Sequence, residues 1–206
     1  MKKTLVLILF GLKVFGQEFA VSDSINKTNP VVFIESCFGF GAGSRGGIFF
    51  IGGSLNCQFN KKDLITARYV SNISFGSSYV QTSPFTVFPF FVRTEEQSEL
   101  ALLYGKRFIN DSHSFSLSSG ISFVSRDFYN EGSTFHENYY GVPFELNIKW
   151  FKGKKSRFRA YYGLIPIGKK KVSFGRSVGF KIIGNISKSS YVAYGFTYGF
   201  GWHKKY

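Results

Sequence analysis

Few residues in this 206-residue chain are of a type that does chemistry, and they are widely spaced. Histidine occurs only at His113, His136 and His203. A hydroxyl nucleophile needs an imidazole within hydrogen-bond reach and an acid that orients the imidazole. His136 has both types close by, in Ser133 and Glu137. Sequence neighbours are not thereby spatial partners, so no catalytic site is expected and the chain reads as a non-enzyme. Three dispersed histidines and two cysteines offer no ligand spacing for a metal, and no cofactor is expected. The run Gly41-Ala42-Gly43-Ser44-Arg45-Gly46 fits a dinucleotide fingerprint literally, but that mechanism needs a helix N-terminus behind the glycines. A strand pattern, Ile48 to Asn60, follows instead.

What remains is an ionisable set standing in phase with small residues: Glu35, Arg68, Glu99, Arg107, Glu145, Lys149, Arg159 and Lys181. Each falls on the glycine-, serine- or asparagine-bearing face of an extended segment. Enclosed charges must pair to offset their desolvation, so these eight are expected to form a structural ion-pair network inside a barrel lumen. A narrow gated conduit lined by the same residues is the alternative.

The elements that would hold them are strands. Aromatic residues make up 19 % of the chain, with 26 Phe and 12 Tyr, and 23 glycines are scattered along it, a strand composition. Period-two alternation recurs from end to end, with no sustained 3.6-residue period. It is cleanest in Tyr191–Trp202, where Val192, Tyr194, Phe196, Tyr198, Phe200 and Trp202 share one face and Ala193, Gly195, Thr197, Gly199 and Gly201 the other. Further segments are read at 31–43, 48–60, 63–75, 98–108, 113–127, 140–150, 157–165 and 172–183. Pro143 inside the sixth suggests a bulge or a strand start. Long connections are read at 76–97, which holds Pro84, Pro89 and an aromatic run, and at 130–138. Cys37 and Cys57 take opposite faces in this phasing and are expected to remain separately buried free thiols.

Nine crossings cannot close a barrel whose termini share a side. Either residues 76–97 conceal another strand, giving ten, or two segments are one element, giving eight, which the chain length favours.

Ahead of the strands, residues 1–16 read as a secretory signal, with Lys2 and Lys3 before the apolar run Leu5 to Phe10 and small residues before Gln17. Residues 17–30 form a polar lead-in, and 31–206 the barrel domain. Removing Lys2, Lys3 and Lys13 lowers the net charge from +14 to +11. An exported basic chain rarely meets nucleic acid. The expected partners are therefore the bilayer and its anionic headgroups, facing Lys61, Lys62, Lys152, Lys154, Lys155 and Lys188 on the inner side.

In hydrocarbon an extended chain spans only as a closed antiparallel transmembrane β-barrel, with one face to lipid and one to the lumen. A soluble sandwich or lipocalin-like barrel would alternate equally well, but glycines such as Gly39, Gly41, Gly195 and Gly199 suit a crowded lumen better than a solvated surface. Tyr104, Trp150, Tyr162, Trp202 and Tyr206 stand where interfacial girdles would lie. In these features the chain resembles the small outer-membrane β-barrel proteins of Gram-negative bacteria, which join a signal peptide to a last strand of alternating aromatics. The resemblance implies an outer-membrane location. It also implies that Phe196, Tyr198, Phe200, Trp202 and Tyr206 are read by the barrel-insertion machinery, although Lys204 interrupts their series. It carries over no catalytic residue. A monomer with a structural or surface-interaction role is expected, with an unknown surface ligand; a membrane-embedded enzyme acting on outer-membrane lipid is the second reading, and a narrow pore the third.

Overall fold

The computed structural model describes residues 30–44, 46–83, 86–130, 133–154, 156–160, 165–172 and 174–204. Its elements are all strands: β1 (Val31–Gly43), β2 (Gly46–Phe59), β3 (Asp63–Ser83), β4 (Thr86–Ile109), β5 (His113–Asn130), β6 (Ser133–Phe151), β7 (Ser156–Ala160), β8 (Ile165–Val172), β9 (Phe174–Ile186) and β10 (Tyr191–Trp202). Eight of them close an antiparallel ring in the order β1-β10-β9-β6-β5-β4-β3-β2, while β7 and β8 form a separate two-stranded sheet. The eight-stranded expectation holds. The ninth segment read from the sequence, 157–165, is not a crossing but part of this side hairpin.

Alternation explains the ring. From Phe33 to Phe40 in β1 and along β10 every second residue is buried, and the residues between are exposed except the half-buried Tyr198. The seam between these strands pairs Phe33 with Gly201 and Gly43 with Tyr191. Outward stand Phe38, Phe40, Ile51, Leu100, Ile121, Phe180 and Tyr194, all exposed, while Glu35, Arg68, Glu99, Arg107, Lys149 and Lys181 are at most 2 % exposed. Apolar outside and ionisable inside inverts the distribution of a water-soluble barrel, so lipid must cover the outer face. Tyr104, Trp150 and Trp202 are exposed outward at one end and Tyr140 and Tyr194 toward the other; Tyr162 and Tyr206 lie outside the described residues.

An eight-stranded ring leaves an interior just wide enough for side chains. Within the ring Gly39 pairs with Gly195 on one side and with Phe50 on the other. A Cβ on Gly195 would stand 2.6 Å from Phe50 Cζ and 2.2 Å from the Phe38 carbonyl, so the Phe50 ring takes the volume that side chains there would need.

Both ends of the ring, Val31 and Trp202, lie at one rim, here the terminal end, with the β2–β3 and β4–β5 turns and the excursion that holds β7 and β8. The β1–β2, β3–β4, β5–β6 and β9–β10 connections form the hairpin end. Residues 76–97 are not a loop: β3 runs to Ser83 and β4 starts at Thr86, and the two stay paired throughout. Likewise β5 reaches Asn130 and β6 begins at Ser133, so the polar stretch 130–138 is mostly strand. Strands of 21 and 24 residues exceed the roughly 9–11 needed to cross a bilayer, so this hairpin projects beyond the membrane. Pro143 makes no bulge. The pairs Ser119–Phe144 and Ser122–Gly141 on either side of it keep one register, and its carbonyl accepts a hydrogen bond from Ser119 Oγ. Cys37 points inward and is buried; Cys57 lies on the outer face, half-buried, and both are free.

Candidate functional site

Seven of the eight ionisable residues selected from the sequence converge in the lumen. Each is placed there by a strand phase that sends its neighbours to lipid. Glu35 on β1 is bonded to Lys149 of β6 and lies 3.0 Å from Lys181 Nζ of β9. Lys181 also reaches Glu145 at 2.9 Å, and Glu145 lies 3.3 Å from Arg68 of β3, whose other nitrogen meets Glu99 of β4 at 2.6 Å. Neutral side chains extend the set. Ser54 of β2 and Asn147 of β6 donate to Glu35 at 3.3 and 3.2 Å. Tyr191 of β10 and Asn185 of β9 donate to Glu99 at 2.9 and 2.6 Å, and Asn185 donates to Ser122 of β5 at 2.8 Å. One connected network therefore ties together all eight strands of the ring. Buried charges persist only when paired and hydrogen-bonded, and this arrangement satisfies that condition.

Arg107 is the exception. Its guanidinium donates to Gln58 Oε1 at 2.8 Å and to Ser114 Oγ at 3.1 and 3.2 Å, and lies 4.6 Å from the centre of the Phe33 ring. Lys149 Nζ stands over the same ring at 3.7 Å, so one aromatic ring meets two cations. The side chain of Arg159, the eighth residue, lies outside those described. Its strand β7 belongs to the side hairpin, so Arg159 is not on a lumenal strand.

His203 lies buried inside the terminal mouth. It is 1 % exposed, stacks on Phe151 at 5.6 Å, and donates from Nε2 to the Gly175 carbonyl at 3.2 Å. Gly201, at φ +143°, precedes it in the same inward phase, and a Cβ there would stand 2.5 Å from Phe33 Cα. Lys204 then reaches the Asp111 carbonyl at 3.0 Å, so the segment after β10 straps across the terminal mouth. Burial, with Lys149 and Arg107 adding repulsion, pushes the His203 imidazole down to about 4.

A second ionic group closes the hairpin end and was not singled out from the sequence. Arg126 holds Glu95 through two nitrogens at 2.7 and 2.8 Å and lies 3.5 Å from Glu137; Lys188 also pairs with Glu137, and Ser189 donates to Glu95 at 3.0 Å. Lys188 is thus at the hairpin end, opposite Lys61, Lys62, Lys152 and Lys154, not beside them. With Glu137 so engaged, the acid that meets His136 is Asp127, its cross-strand partner, at 2.7 Å. Ser133 pairs with Asn130 at the hairpin tip, and the sequence cluster His136, Glu137, Ser133 does not assemble. His113 is exposed beside Asn110. Among the described residues no three His, Cys, Asp or Glu side chains come together as metal ligands would. Phe196, Phe200 and Trp202 face outward in phase, with Tyr198 half-buried between them; Tyr206 lies outside the described residues.

A closed eight-stranded antiparallel ring, sheathed in apolar side chains and filled by ion pairs, is the architecture of the small outer-membrane β-barrels. No protein-family model and no curated protein matches the chain. Among solved structures, that of Neisserial surface protein A aligns with a TM-score of 0.50 at 10 % identity, covering 86 % of this chain and 98 % of its own. The N-terminal β-barrel domain of Pseudomonas aeruginosa OprF aligns at 0.49 and 12 %, covering 84 % and 98 %. The outer membrane enzyme PagL aligns at 0.41 and 12 %, covering 80 % and 97 %. At such identities the likeness shows the fold alone.

Proposed function

We propose that this chain is a plugged, non-enzymatic barrel of the bacterial outer membrane with a structural or surface-interaction role, exported by residues 1–16 and delivered by its last strand to the insertion machinery. The observation that carries this reading is the lumenal network centred on Glu35, Glu145 and Glu99, which spends the interior on tying the wall together. Long hairpins lie outside the cell and short turns inside in such barrels, so the β3–β4 and β5–β6 hairpins are the surface that meets partners. The barrel acts as a monomer, and its seven lumenal ionisable residues are structural. Recording from the purified protein in a planar bilayer tests the plug. Conductance at baseline is expected; unitary steps abolished by a bulkier lumenal side chain would overturn it and install the narrow pore.

One observation favours a second reading, hydrolysis of membrane lipid. His136 and Asp127 form an acid-oriented imidazole on the outer wall, and Ser125 is diagonal to His136 in the β5–β6 register. Four residues further along the same strands, Phe123 and Tyr140 join Ala67, Leu100, Leu102 and Ile121 around an apolar groove of about 350 Å³. Fatty-acid release from vesicle phospholipid, lost in His136→Ala and Ser125→Ala, would establish this reading. No release by the wild-type barrel would remove it.

A further inference from the structure

Strands β3 to β6 carry one order of outward side chains toward the hairpin end. Cross-strand pairing sets Tyr69, Leu100, Phe123 and Tyr140 in one row, Ser71, Ser98, Ser125 and Asn138 in the next, and Ile73, Glu96, Asp127 and His136 in the third. Outward residues alternate along a strand, so successive rows lie about 7 Å apart. Apolar and aromatic groups, then hydroxyls and an amide, then largely ionisable groups follow one another within about 14 Å. That is the order in which a lipid presents its chain, its linkage and its headgroup. The order is local to these strands. On the opposite wall Phe40 pairs with Tyr194 and Ala42 with Val192, so the outward face there stays apolar up to the rim at Gly43 and Tyr191.

Beneath the hydroxyl row lies the apolar groove of about 350 Å³. Ala67 opens it, a small outward residue whose cross-strand neighbours, Leu55 and Leu102, are large. Tyr140, 81 % exposed, stands where the groove meets the hydroxyl row, its ring edge-on to Phe123 at 5.7 Å. A groove on the lipid side takes an acyl chain, and the rows above it choose among headgroups. The three rows hold no lysine or arginine, and Arg93 beside them is bound to Glu96, so an anionic headgroup finds no cation to spare. An ammonium headgroup would compete with pairs already made, Glu96 with Arg93 and Asp127 with His136 at 2.7 Å. Sugar hydroxyls, each both donor and acceptor, can bond to Ser98, Ser125, Asn138 and the remaining carboxylate lone pairs without bringing a charge. The Tyr140 ring offers a flat apolar face beside them. We propose that the outer wall of β3–β6 holds a glycolipid, with one acyl chain in the groove, the linkage against the serine and asparagine row, and an uncharged sugar against Asp127, His136 and Tyr140. The inference rests on the barrel lying in a membrane; holding a lipid needs no nucleophile, so it is independent of hydrolysis.

The test refolds the full chain into phosphatidylcholine vesicles that contain a small fraction of monoglucosyl diacylglycerol with a photoactivatable diazirine on one chain. Phosphatidylcholine and phosphatidylglycerol with the same label are run beside it. After illumination, mass spectrometry of the peptides locates the label. Label from the glucolipid should concentrate on residues 100–102 and 121–123 and be competed away by unlabelled glucolipid. Ala67→Phe, which fills the groove from the lipid side, should reduce that labelling to the level of the rest of the wall. Ser125→Ala with Asn138→Leu should do the same while leaving the groove intact. Label spread evenly around the wall overturns the site. Equal concentration of all three lipids in the groove overturns the headgroup choice and assigns an ordinary boundary chain; concentration of phosphatidylglycerol alone overturns the sugar and assigns an anionic lipid. A boiling-dependent gel shift on the same samples reads the barrel separately. If that shift is lost the membrane-barrel reading fails; if it is kept while the label spreads evenly, the glycolipid site alone fails.

Discussion

Glu35→Gln is the substitution that the lumen should tolerate least. The carboxylate takes two ammonium groups, Lys149 and Lys181, and accepts from Ser54 and Asn147. The amide keeps the shape and removes the charge. Lys181 still has Glu145 at 2.9 Å, but the described ion pairs give Lys149 no second carboxylate, and Phe33 is what remains beneath it. Breaking a buried pair from one side costs about 3–5 kcal/mol, mostly the desolvation of the charge left behind. At about 1–3 kcal/mol per molar urea, the unfolding midpoint of the vesicle-embedded barrel should fall by at least about 1 M. Tryptophan fluorescence and the boiling-dependent gel shift would report it together. Replacing both partners, Glu35→Leu with Lys149→Met, should recover most of the loss, since exchanging a buried ion pair for packed apolar groups is often neutral or better. An unchanged midpoint in Glu35→Gln refutes the structural role of the network. A double variant as unstable as the single one would show that the orphaned ammonium is not the cause.

Gly195→Ala should leave little folded barrel, because the new Cβ would meet the Phe38 carbonyl at 2.2 Å as well as the Phe50 ring; gel-shift yield after refolding checks it. His203 lies beyond the end of β10, and its folded value near 4 is below its unfolded one. The unfolded state then binds the extra proton, so stability is full above about pH 6.5 and declines as pH falls toward 4. Urea midpoints against pH should show that slope, and His203→Phe should flatten it. Cys57 should react with a small lipid-soluble maleimide in the folded barrel while Cys37 reacts only after unfolding, as mass spectrometry of labelled peptides would show.

The spanning parts of the wall were legible because lipid on one side and a crowded lumen on the other enforce a period of two. Gly39, Gly195 and the charges from Glu35 to Lys181 were placed by that phase alone. Beyond the bilayer no such contrast is imposed, and so β3 and β4 past Phe75 read as a loop although their backbones stay paired. Segment 157–165 alternates like a crossing, and counting it as one sends the next turn to the wrong rim and sets Lys188 beside Lys61. His203 and Arg126 could have been found: each continues the inward phase of its strand, after Gly199 and Gly201 and after Ser122 and Val124. The strand swap of His136 from Glu137 to Asp127 could not, since it depends on register across β5 and β6.

The two rims differ in what it takes to push them through oil. At the hairpin end each described charge has a partner: Arg93 with Glu96, Arg126 with Glu95, Lys188 with Glu137, Asp127 with His136. Those four contacts let the tips travel as nearly neutral, self-wrapped dipoles. The terminal end is the more basic of the two: Lys61, Lys62, Lys106, Arg176 and Lys204 stand there with Asp63 and Asp111 among its described residues. A charge-matched hairpin end has less water to strip on entering hydrocarbon than a net basic terminal end has.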